Sequence, residues 1–199
     1  MVIAVDTNQT SGRHEKSNQK NHSRLLEMGH QLTSVPLPYG DYVEVTPQVE
    51  EVLNRRGNKI GKMDLMFDIK VAVDRKNSID ECAGNICGAD HERFREEAIR
   101  AQKAGAKFYV LVENDQGITD LDGVKHWDNP RMHRYNKIKY MHSIGKWQSI
   151  PLPKKAPTAS MTLFKAMWTM QKKYDVKWVF VRPEDAAQKI AELLGGETE

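Results

Sequence analysis

The amino-acid sequence predicts an α/β domain of three layers, in which helices flank a mixed central β-sheet. In the second half of the chain, apolar segments typical of strands alternate with segments whose apolar residues recur every three or four positions, the spacing of a helix. In the first half, short apolar runs are separated by turn residues, a pattern typical of antiparallel strands. Strands that alternate with helices after an antiparallel start imply a mixed sheet in a three-layer domain.

The first half is expected to form a meander of antiparallel strands. Its polar segment Thr7–His22 has almost nothing to bury and is expected to be a loop. Ser23 is expected to cap a short helix that ends at Gly29, and the stretch 54–62 is expected to be a connection. Gly40 and Asp41 predict a turn. The predicted strands are Val2–Val5, Leu32–Leu37, Tyr42–Val45 and Met63–Val73.

The second half gives clearer periodicity. After Asp80 the pattern becomes helical, with Phe94, Ala98 and Ala101 at helical spacing before Gly105 ends the run. Proline in the first turn and glycine at the exit mark the last helix. The remaining predicted elements are a strand at Lys107–Val112, a helix at Met161–Tyr174, a strand at Val176–Val181 and a helix at Pro183–Leu194.

Length and composition set limits on the class of protein. A chain of 199 residues is expected to form one domain, residues 1–199, with a core that needs no disulfide or structural metal. Cys82 and Cys87 are interpreted as reduced thiols, and with His91 they lack the paired spacing of a zinc site. The chain shows no leader and no run near eighteen apolar residues, so we expect a cytoplasmic protein with no membrane partner.

Three charged residues carry the first functional hypothesis. Asp41 lies at the start of one predicted strand, and Asp74 lies at the end of another with Lys76 two positions beyond it. Side chains two apart on a strand share a face, so Asp74 and Lys76 point the same way, and Asp41 joins them if the two strands pair. Two carboxylates suit a hard cation such as Mg²⁺, and an ammonium offsets charge on a phosphate. The pattern is typical of a metal-dependent phosphodiesterase site.

A longer string is more specific. Gly40-Asp41, then Asp74-Arg75-Lys76 with Asp80 after three intervening residues, resembles the signature of XPF-type structure-specific nucleases, G-D … E-R-K-x-x-x-D, with aspartate in place of glutamate. The runs "IAVDT", "YVLVE" and "EDAAQKIAELL" extend the resemblance over most of the chain, except an insertion at about 114–155.

This resemblance implies a restriction-endonuclease-like core that uses Mg²⁺ or Mn²⁺. It implies that Asp41 and Asp74 are metal ligands and that Lys76 is the catalytic lysine, with Arg75 and Asp80 as supporting members of the site. Asp6 corresponds to the first acid of the family and is a third candidate for both the catalytic and the metal-binding set.

The sequence departs from the family pattern in two places. The family usually follows the first acid with x-Arg-Glu, whereas this chain has Thr7-Asn8-Gln9, so a second metal position or phosphate clamp there is in doubt. Aspartate at position 74 draws the carboxylate back by about one methylene relative to glutamate, which can change the metal preference but keeps the ligand.

The insertion and the helix after it are strongly basic. Residues 131–174 contain ten Lys and Arg and no Asp or Glu, with aromatic residues interleaved. Cations neutralise phosphates and exposed rings stack on unpaired bases, so we favour nucleic-acid contact over a merely solvated basic face. Phe164 and Trp168, at helical spacing, are expected to be core. The predicted nucleic-acid-binding residues are Arg131, Arg134, Tyr135, Lys137, Lys139, Tyr140 and Lys146.

Other residues support weaker interpretations. His126, His133 and His142 with Asn129 faintly resemble a histidine-asparagine-histidine nuclease, but the flanking strand and zinc pairs are missing. Glu113, at the end of its strand, either borders the site or faces solvent. Three methionines, Met161, Met167 and Met170, are interpreted as helix packing.

The sequence therefore predicts a metal-dependent DNA endonuclease. Flap, fork or junction DNA is the substrate class that the resemblance implies, in recombination, repair or replication, and a free-standing form suits a bacterial or phage-infected cell. A homodimer and a separate DNA-targeting protein are possible partners. Two alternatives stay open: a restriction-like or Holliday-junction-resolvase-type nuclease, and a DNA-binding scaffold whose site is catalytically weakened.

Overall fold

A computed structural model describes residues 1–7 and 13–196 of the chain. The described residues form one six-stranded sheet and seven α-helices, with short 3₁₀ turns at Gly57–Lys59 and Asp122–His126. The strands are β1 (Val2–Asp6), β2 (Gln31–Val35), β3 (Tyr42–Glu44), β4 (Val71–Lys76), β5 (Lys107–Glu113) and β6 (Val176–Val181). The helices are α1 (Arg13–Glu27), α2 (Pro47–Arg56), α3 (Ile79–Cys87), α4 (His91–Ala104), α5 (Pro130–Ser143), α6 (Ser160–Tyr174) and α7 (Ala186–Leu194).

The sheet is mixed, as predicted, with the order β2-β1-β3-β4-β5-β6. Strand β3 is antiparallel to both β1 and β4, whereas the pairs β4–β5 and β5–β6 are parallel. The expected antiparallel meander is wrong at two points, because β1 and β2 are parallel and β3 pairs with β1 instead of β2, whereas the β3–β4 pair is antiparallel as expected. Parallel neighbours need a crossover connection, and helix α1 provides it.

Helices cover both faces of the sheet and give the three predicted layers. On one face α3, α4 and α6 pack over a core that includes Phe94, Phe108 and Leu163. On the other face α1 and α7 pack over a second core that includes Leu25 and Ile190. Each of these apolar side chains is almost fully buried, which stabilises the fold by about 1.5–3 kcal/mol per side chain.

Helix α1 corrects the expected loop at Thr7–His22 and the expected short helix that Ser23 would cap. The helix already begins at Arg13 and continues to Glu27, and residues 8–12 of the expected loop lie outside the described residues. A loop was predicted instead of this helix because the buried side of α1 is partly polar. Asn18 and Asn21 are buried there beside Leu25, and their hydrogen bonds replace the apolar periodicity that marks a helix.

Helix α2 and the chain before β4 also differ from expectation. The stretch expected to connect from Asn54 begins inside α2, which Thr46 caps by accepting a hydrogen bond from the backbone N–H of Val49. Strand β4 begins at Val71 rather than at Met63. Leu65 and Ile69 are buried, so this apolar run packs under the core as turns instead of pairing in the sheet.

The second half follows the prediction closely. Helix α6 and strands β5 and β6 lie within one residue of their expected bounds, and α7 begins at Ala186 instead of Pro183. The helical pattern expected after Asp80 ends before Gly105 as predicted, but it forms two helices, α3 and α4, instead of one. Within the described ranges, none of the helices combines the length and apolar character needed to cross a membrane.

Candidate active site

Three acidic residues lie side by side across three neighbouring strands. Strand β1 pairs with β3 so that Val5 lies opposite Tyr42, which places Asp6 next to Asp41. Strand β3 pairs with β4 so that Tyr42 lies opposite Val73, which places Asp41 next to Asp74. Residues directly opposite each other in an antiparallel pair share a face. The strand of Asp41 therefore pairs with that of Asp74, and Asp41 lies beside Asp74 as expected from the sequence if the two strands paired.

Lys76 completes the group on the same face of β4. Its Nζ atom donates a hydrogen bond of 2.9 Å to Asp74 Oδ1 and lies 2.6 Å from Asp74 Oδ2. The ammonium also lies 5.6 Å from the centroid of the Phe94 ring. Burial alone would lower the pKa of Lys76, but the charges of Asp74 and Asp41 outweigh it and raise the pKa. Lys76 is therefore a fixed cation at neutral pH.

Asp41 is held in place by the backbone around it. Its Oδ2 atom accepts a hydrogen bond of 2.7 Å from the backbone N–H of Arg75, and its own N–H donates to the carbonyl of Val73 at 2.9 Å. Burial and the nearby charge of Asp74 raise the pKa of Asp41 well above its ordinary value.

Gly40 explains why glycine precedes this aspartate. Its φ is +72°, and a Cβ at this position would lie 3.1 Å from Ala72 Cβ and 3.3 Å from the carbonyl oxygen of Val73. Only glycine accepts this conformation and this approach without strain. The Gly-Asp pair of the signature thus lets the chain pass close to β4 and turn the carboxylate into the site.

Asp6 is near the other acids, but its carboxylate already accepts a hydrogen bond from the backbone. Its Oδ1 atom accepts a hydrogen bond of 2.9 Å from the backbone N–H of Leu37, and its backbone N–H donates to the carbonyl of Asp41 at 2.9 Å. Asp6 thereby ties the chain after β2 to the row of acids. Its predicted role as a metal ligand stays a prediction.

Arg75 points to the opposite face of the sheet from Asp74 and Lys76. Its Nε atom lies 2.5 Å from Glu113 Oε1, and its Nη1 atom lies 2.6 Å from Asn18 Oδ1. Asn21 adds a hydrogen bond of 3.2 Å to Glu113. Glu113 is only 4% exposed, so the alternative that it faces solvent is wrong. The side chain of Arg75 anchors α1 to the sheet, and its backbone N–H holds Asp41.

A cleft of about 850 Å³ opens over the three acids and Lys76. Six carboxylate residues and four cationic residues line it, an excess of negative charge. Several lining residues were not predicted from the sequence, and they come from the loop before β4, from the end of β4 and from α3 and α4. They are Lys62, Asn77, Glu81, Asn85, Asp90, Arg93 and Glu97.

Two of these acidic residues, Glu81 and Glu97, differ in whether their position in the cleft could have been predicted from the sequence. Ser78 accepts a hydrogen bond from the N–H of Glu81, so the S-x-x-E spacing of a capping box was readable in the sequence. Glu97 is half-buried, and burial and the charge of Asp74 raise its pKa. Nothing in the local sequence distinguishes Glu97 from an ordinary glutamate of α4, because only the packing of α4 over β4 brings it to the cleft.

Asp80 forms an ion pair with Arg131 of α5 and is set apart from the row of three acids. It lies in the first turn of α3, and its Oδ2 atom is 2.5 Å from Nη2 of Arg131, in the first turn of α5. The other predicted nucleic-acid-binding residues lie along α5 and in the turn after it. Of these, Tyr135 is half-buried, while Arg134, Lys137, Lys139, Tyr140 and Lys146 are exposed.

Some packing expectations were wrong. Trp168 is 49% exposed and Met161 is 47% exposed, whereas Phe164 is half-buried and Met167 and Met170 are in the core as predicted. Helix α6 is therefore amphipathic, with two apolar residues, Met161 and Trp168, on its exposed side.

The histidines that suggested a second nuclease type serve local contacts instead. His133 pairs with Asp128 at 2.5 Å, and His142 contacts the carbonyl of Ile150 at 2.6 Å. Asn129 caps α5 and donates to the carbonyl of Thr158 at 2.8 Å. These contacts join the insertion to itself and to the start of α6.

The oxygen atoms of Asp41 and Asp74 fit a hard divalent cation. Both carboxylates are buried in a cleft with excess negative charge, and Asp74 Oδ2 forms no hydrogen bond, although Lys76 Nζ is close to it. Across residues 1–7 and 13–196, no cluster of three or more His, Cys, Asp or Glu side chains is close enough to form a complete ligand set. The chain thus offers part of a coordination shell, which suits Mg²⁺, an ion that keeps several waters.

Comparison with known protein families identifies the family of this chain. The ERCC4 domain matches residues 5–193, nearly the whole chain. The chain belongs to the ERCC4 domain family. A comparison with curated proteins gave no match.

Solved structures with the same fold include XPF from Aeropyrum pernix. One structure, described as a complex with DNA, aligns with 98% of this chain and 64% of its own length, at 18% identity and a TM-score of 0.52. Another structure of the same protein aligns with 100% of this chain and 66% of its own, at 17% identity and a TM-score of 0.53. The ERCC4 chain described here thus spans just under two thirds of these relatives. The predicted XPF-like, restriction-endonuclease-like fold is confirmed.

Proposed function

We propose that this ERCC4 domain is a DNA endonuclease that hydrolyses phosphodiester bonds with the help of Mg²⁺ or Mn²⁺. One observation carries the proposal: the strand register puts Asp41 beside Asp74, with the ammonium of Lys76 within 2.9 Å of Asp74 at the floor of a cleft. Two buried anions and one buried cation at the end of a sheet have little structural value, because their desolvation costs free energy. Their arrangement suits charge stabilisation at a reacting phosphate.

The divalent ion would be held by Asp41 and Asp74. When bound, it supplies a Lewis acid for the phosphate and lowers the pKa of a bound water. The excess of carboxylates in the cleft supports this proposal, since a phosphodiester is itself an anion and would be repelled by the lining alone.

The residues of the chain have separate tasks in this scheme. The backbone N–H of Arg75 orients the Asp41 carboxylate, and Asp74 orients Lys76. The buried ammonium of Lys76, held beside Asp74, supplies a cation that offsets charge growing on the phosphate oxygens. Asp6 supports the position of Asp41 through the backbone.

Branched DNA is the substrate class that we propose. The similarity to XPF, one structure of which is described as a DNA complex, supports DNA as the partner. The acid-free basic residues 131–174 support phosphate contact outside the cleft. Membership in the ERCC4 family supports structure-specific cutting, as in a flap, fork or junction, with roles in repair, recombination or replication. A homodimer or a separate targeting protein would supply further DNA contacts.

The proposal is tested with a panel of labelled linear, nicked, flap, fork and four-way DNAs. Each is incubated with the protein in Mg²⁺, Mn²⁺ or EDTA. We expect cuts near the branch point of flaps or forks, with either metal and not in EDTA. Cuts placed symmetrically on the four-way DNA alone would favour the resolvase alternative, and cuts within linear duplex would favour the restriction-like one.

Asp74→Ala and Lys76→Ala separate catalysis from binding in the same panel. We expect both variants to bind the DNA and neither to cut it. Asp175→Asn is the matched control, because Asp175 is exposed and lies just before β6, at the opposite end of the sheet from Lys76. Cutting unchanged in both active-site variants would disprove the assignment, and binding without cutting by the unmodified protein would leave the scaffold alternative.

A further inference from the structure

Two exposed aromatic rings lie at the far end of the insertion helix. Tyr140, in the last turn of α5, is 63% exposed, and Trp147, in the turn that follows, is 38% exposed. Lys137 Nζ lies 5.5 Å from the centroid of the Trp147 ring, and Lys137 and Tyr140 are neighbours on the helix surface because they are three residues apart. We call Lys137, Tyr140 and Trp147 the aromatic platform.

The turn that carries Trp147 is held in a costly conformation. The N–H of Lys146 donates to the carbonyl of Met141 at 2.8 Å, and the N–H of Ile150 donates to the carbonyl of Trp147 at 2.9 Å. These contacts hold Trp147 at a φ of +54°, in the left-handed region that bulky residues rarely adopt. Glycine would accept this backbone without strain, whereas tryptophan is held there although the residue stays 38% exposed. A bulky aromatic residue kept in a strained turn and partly open to solvent points to a role outside the fold.

The charge around the platform identifies the kind of partner. Arg131, Arg134 and Lys137 recur every three residues and form a ridge that winds along α5 up to Tyr140. The ridge begins at Arg131, which contacts Asp80 just beyond the catalytic strand, and reaches Tyr140 about 14 Å further along the helix axis. Residues 131–174 contain no acid, so a partner with regularly spaced negative charges is favoured.

We infer that the aromatic platform binds an unpaired segment of the branched DNA substrate. Bases stack on Tyr140 and Trp147, while Lys137 and Lys146 contact the phosphates. In duplex DNA the base faces are already stacked on each other, so exposed rings gain nothing from them. A second copy that met this surface with its own platform would bring the same positive charge to the contact and be repelled. The inference rests on the proposed function, which gives the branched substrate, and adds the element that recognises its single-stranded arm.

The test measures binding rather than cutting. Fluorescence anisotropy with a labelled oligothymidine strand and with a duplex of equal length is recorded in EDTA, so that no cleavage occurs. We expect the double variant Tyr140→Ala/Trp147→Ala to lose about tenfold or more in affinity for the single strand. Its affinity for the duplex should change less than about twofold, since the phosphate contacts remain.

Three further variants distinguish loss of base stacking from loss of protein stability and from loss of positive charge. Trp147→Gly should weaken single-strand binding without lowering Tm, because glycine suits a φ of +54°. Lys137→Ala should reduce the salt dependence of binding more than Lys103→Ala, which removes an exposed lysine of α4 outside the insertion. Trp168→Ala removes another exposed tryptophan, 49% exposed in a regular helix, and should leave affinity unchanged.

Equal single-strand affinity for the unmodified protein and the double variant would overturn the inference. So would an equal loss for single strand and duplex, or a self-association that the double variant abolishes while DNA binding is unaffected. Failure of the proposed function is separate from these results, because it is seen as absence of cutting in Mg²⁺ and Mn²⁺ whatever the binding data show.

Discussion

Asp41 illustrates a conflict between stability and function at the scale of one residue. Its carboxylate is buried beside Asp74, and burial and that charge both disfavour the ionised form. A buried charge of this kind costs free energy unless it is compensated. The hydrogen bond from the Arg75 N–H and the charge of Lys76 compensate in part. A divalent cation would complete the compensation.

We predict that Asp41→Asn raises the Tm of the metal-free protein by a few degrees while abolishing cleavage. Asparagine removes the buried charge but still offers an oxygen to the N–H of Arg75. Differential scanning calorimetry in EDTA and a cleavage assay in Mg²⁺ measure the two effects. A lower Tm would show that the ionised carboxylate stabilises the fold, contrary to this expectation.

Replacing Lys76 should lower the stability of the protein, in contrast to replacing Asp41. Lys76→Met removes the cation and leaves two buried carboxylates without it, so unfolding should become easier by about 3–5 kcal/mol, the usual cost of breaking a buried pair. The cleavage rate should fall about 100-fold or more, as it does when a charge-stabilising group is removed. Chemical denaturation and single-turnover cleavage check both effects. Lys103→Met, on the exposed side of α4, should change neither.

Single residues differ in how far the sequence could predict them. Asp41, Asp74 and Lys76 could be grouped because alternation on a strand fixes their face and the signature fixes their spacing. The burial of Glu113 could not be predicted, because its partner Arg75 lies on another strand and two asparagines of α1 complete the contact. Such a network depends on tertiary packing, which local sequence does not encode.

Helix α1 is attached to the sheet through polar contacts as well as apolar ones. Leu25 packs in the core shared with α7, while Asn18 and Asn21 reach Arg75 and Glu113. Periodicity in the sequence detects only apolar contacts, so the helix was mistaken for a loop. Helix α2 was also missed, although Thr46 and the proline after it are start signals that can be read from the sequence.

We predict that Glu113→Ala destabilises the protein by about 3 kcal/mol, because it leaves the Arg75 guanidinium buried without its anion. Hydrogen exchange should accelerate in α1 more than in α4, which has no contact to this pair in the hydrogen bonds described. Glu51→Ala, an exposed position on α2, is the control. Uniform acceleration across the chain would mean that α1 does not depend on this contact.

The whole molecule combines an acidic cleft with the basic, acid-free residues 131–174. The cleft needs a cation before it can accept a phosphodiester, and residues 131–174 attract DNA without one. The ion pair between Asp80 and Arg131 connects α3, which lines the cleft, to α5, where the basic residues begin. The XPF-like fold was predictable from the signature and from the strand-helix alternation of the second half. The lining of the cleft was not, because α3 and α4 contribute side chains whose direction only packing fixes.

Because the cleft is acidic, we predict that a divalent metal ion stabilises the whole fold. Mg²⁺ or Mn²⁺ should raise the Tm of the unmodified protein in a concentration-dependent way, because an ion that binds the native state alone stabilises it by mass action. Asp41→Asn and Asp74→Asn should show no such rise. Asp175→Asn, at the opposite end of the sheet, should respond like the unmodified protein.

The most direct measurement is single-turnover cleavage of a labelled flap DNA by the unmodified protein and by Asp74→Asn, in Mg²⁺ and with both proteins saturating the DNA. We predict that the unmodified protein cuts near the branch and that the variant cuts at a rate at least about 100-fold lower at equal binding. Equal rates for the two proteins would contradict the assignment of Asp74, Asp41 and Lys76 as the site where the DNA is cut.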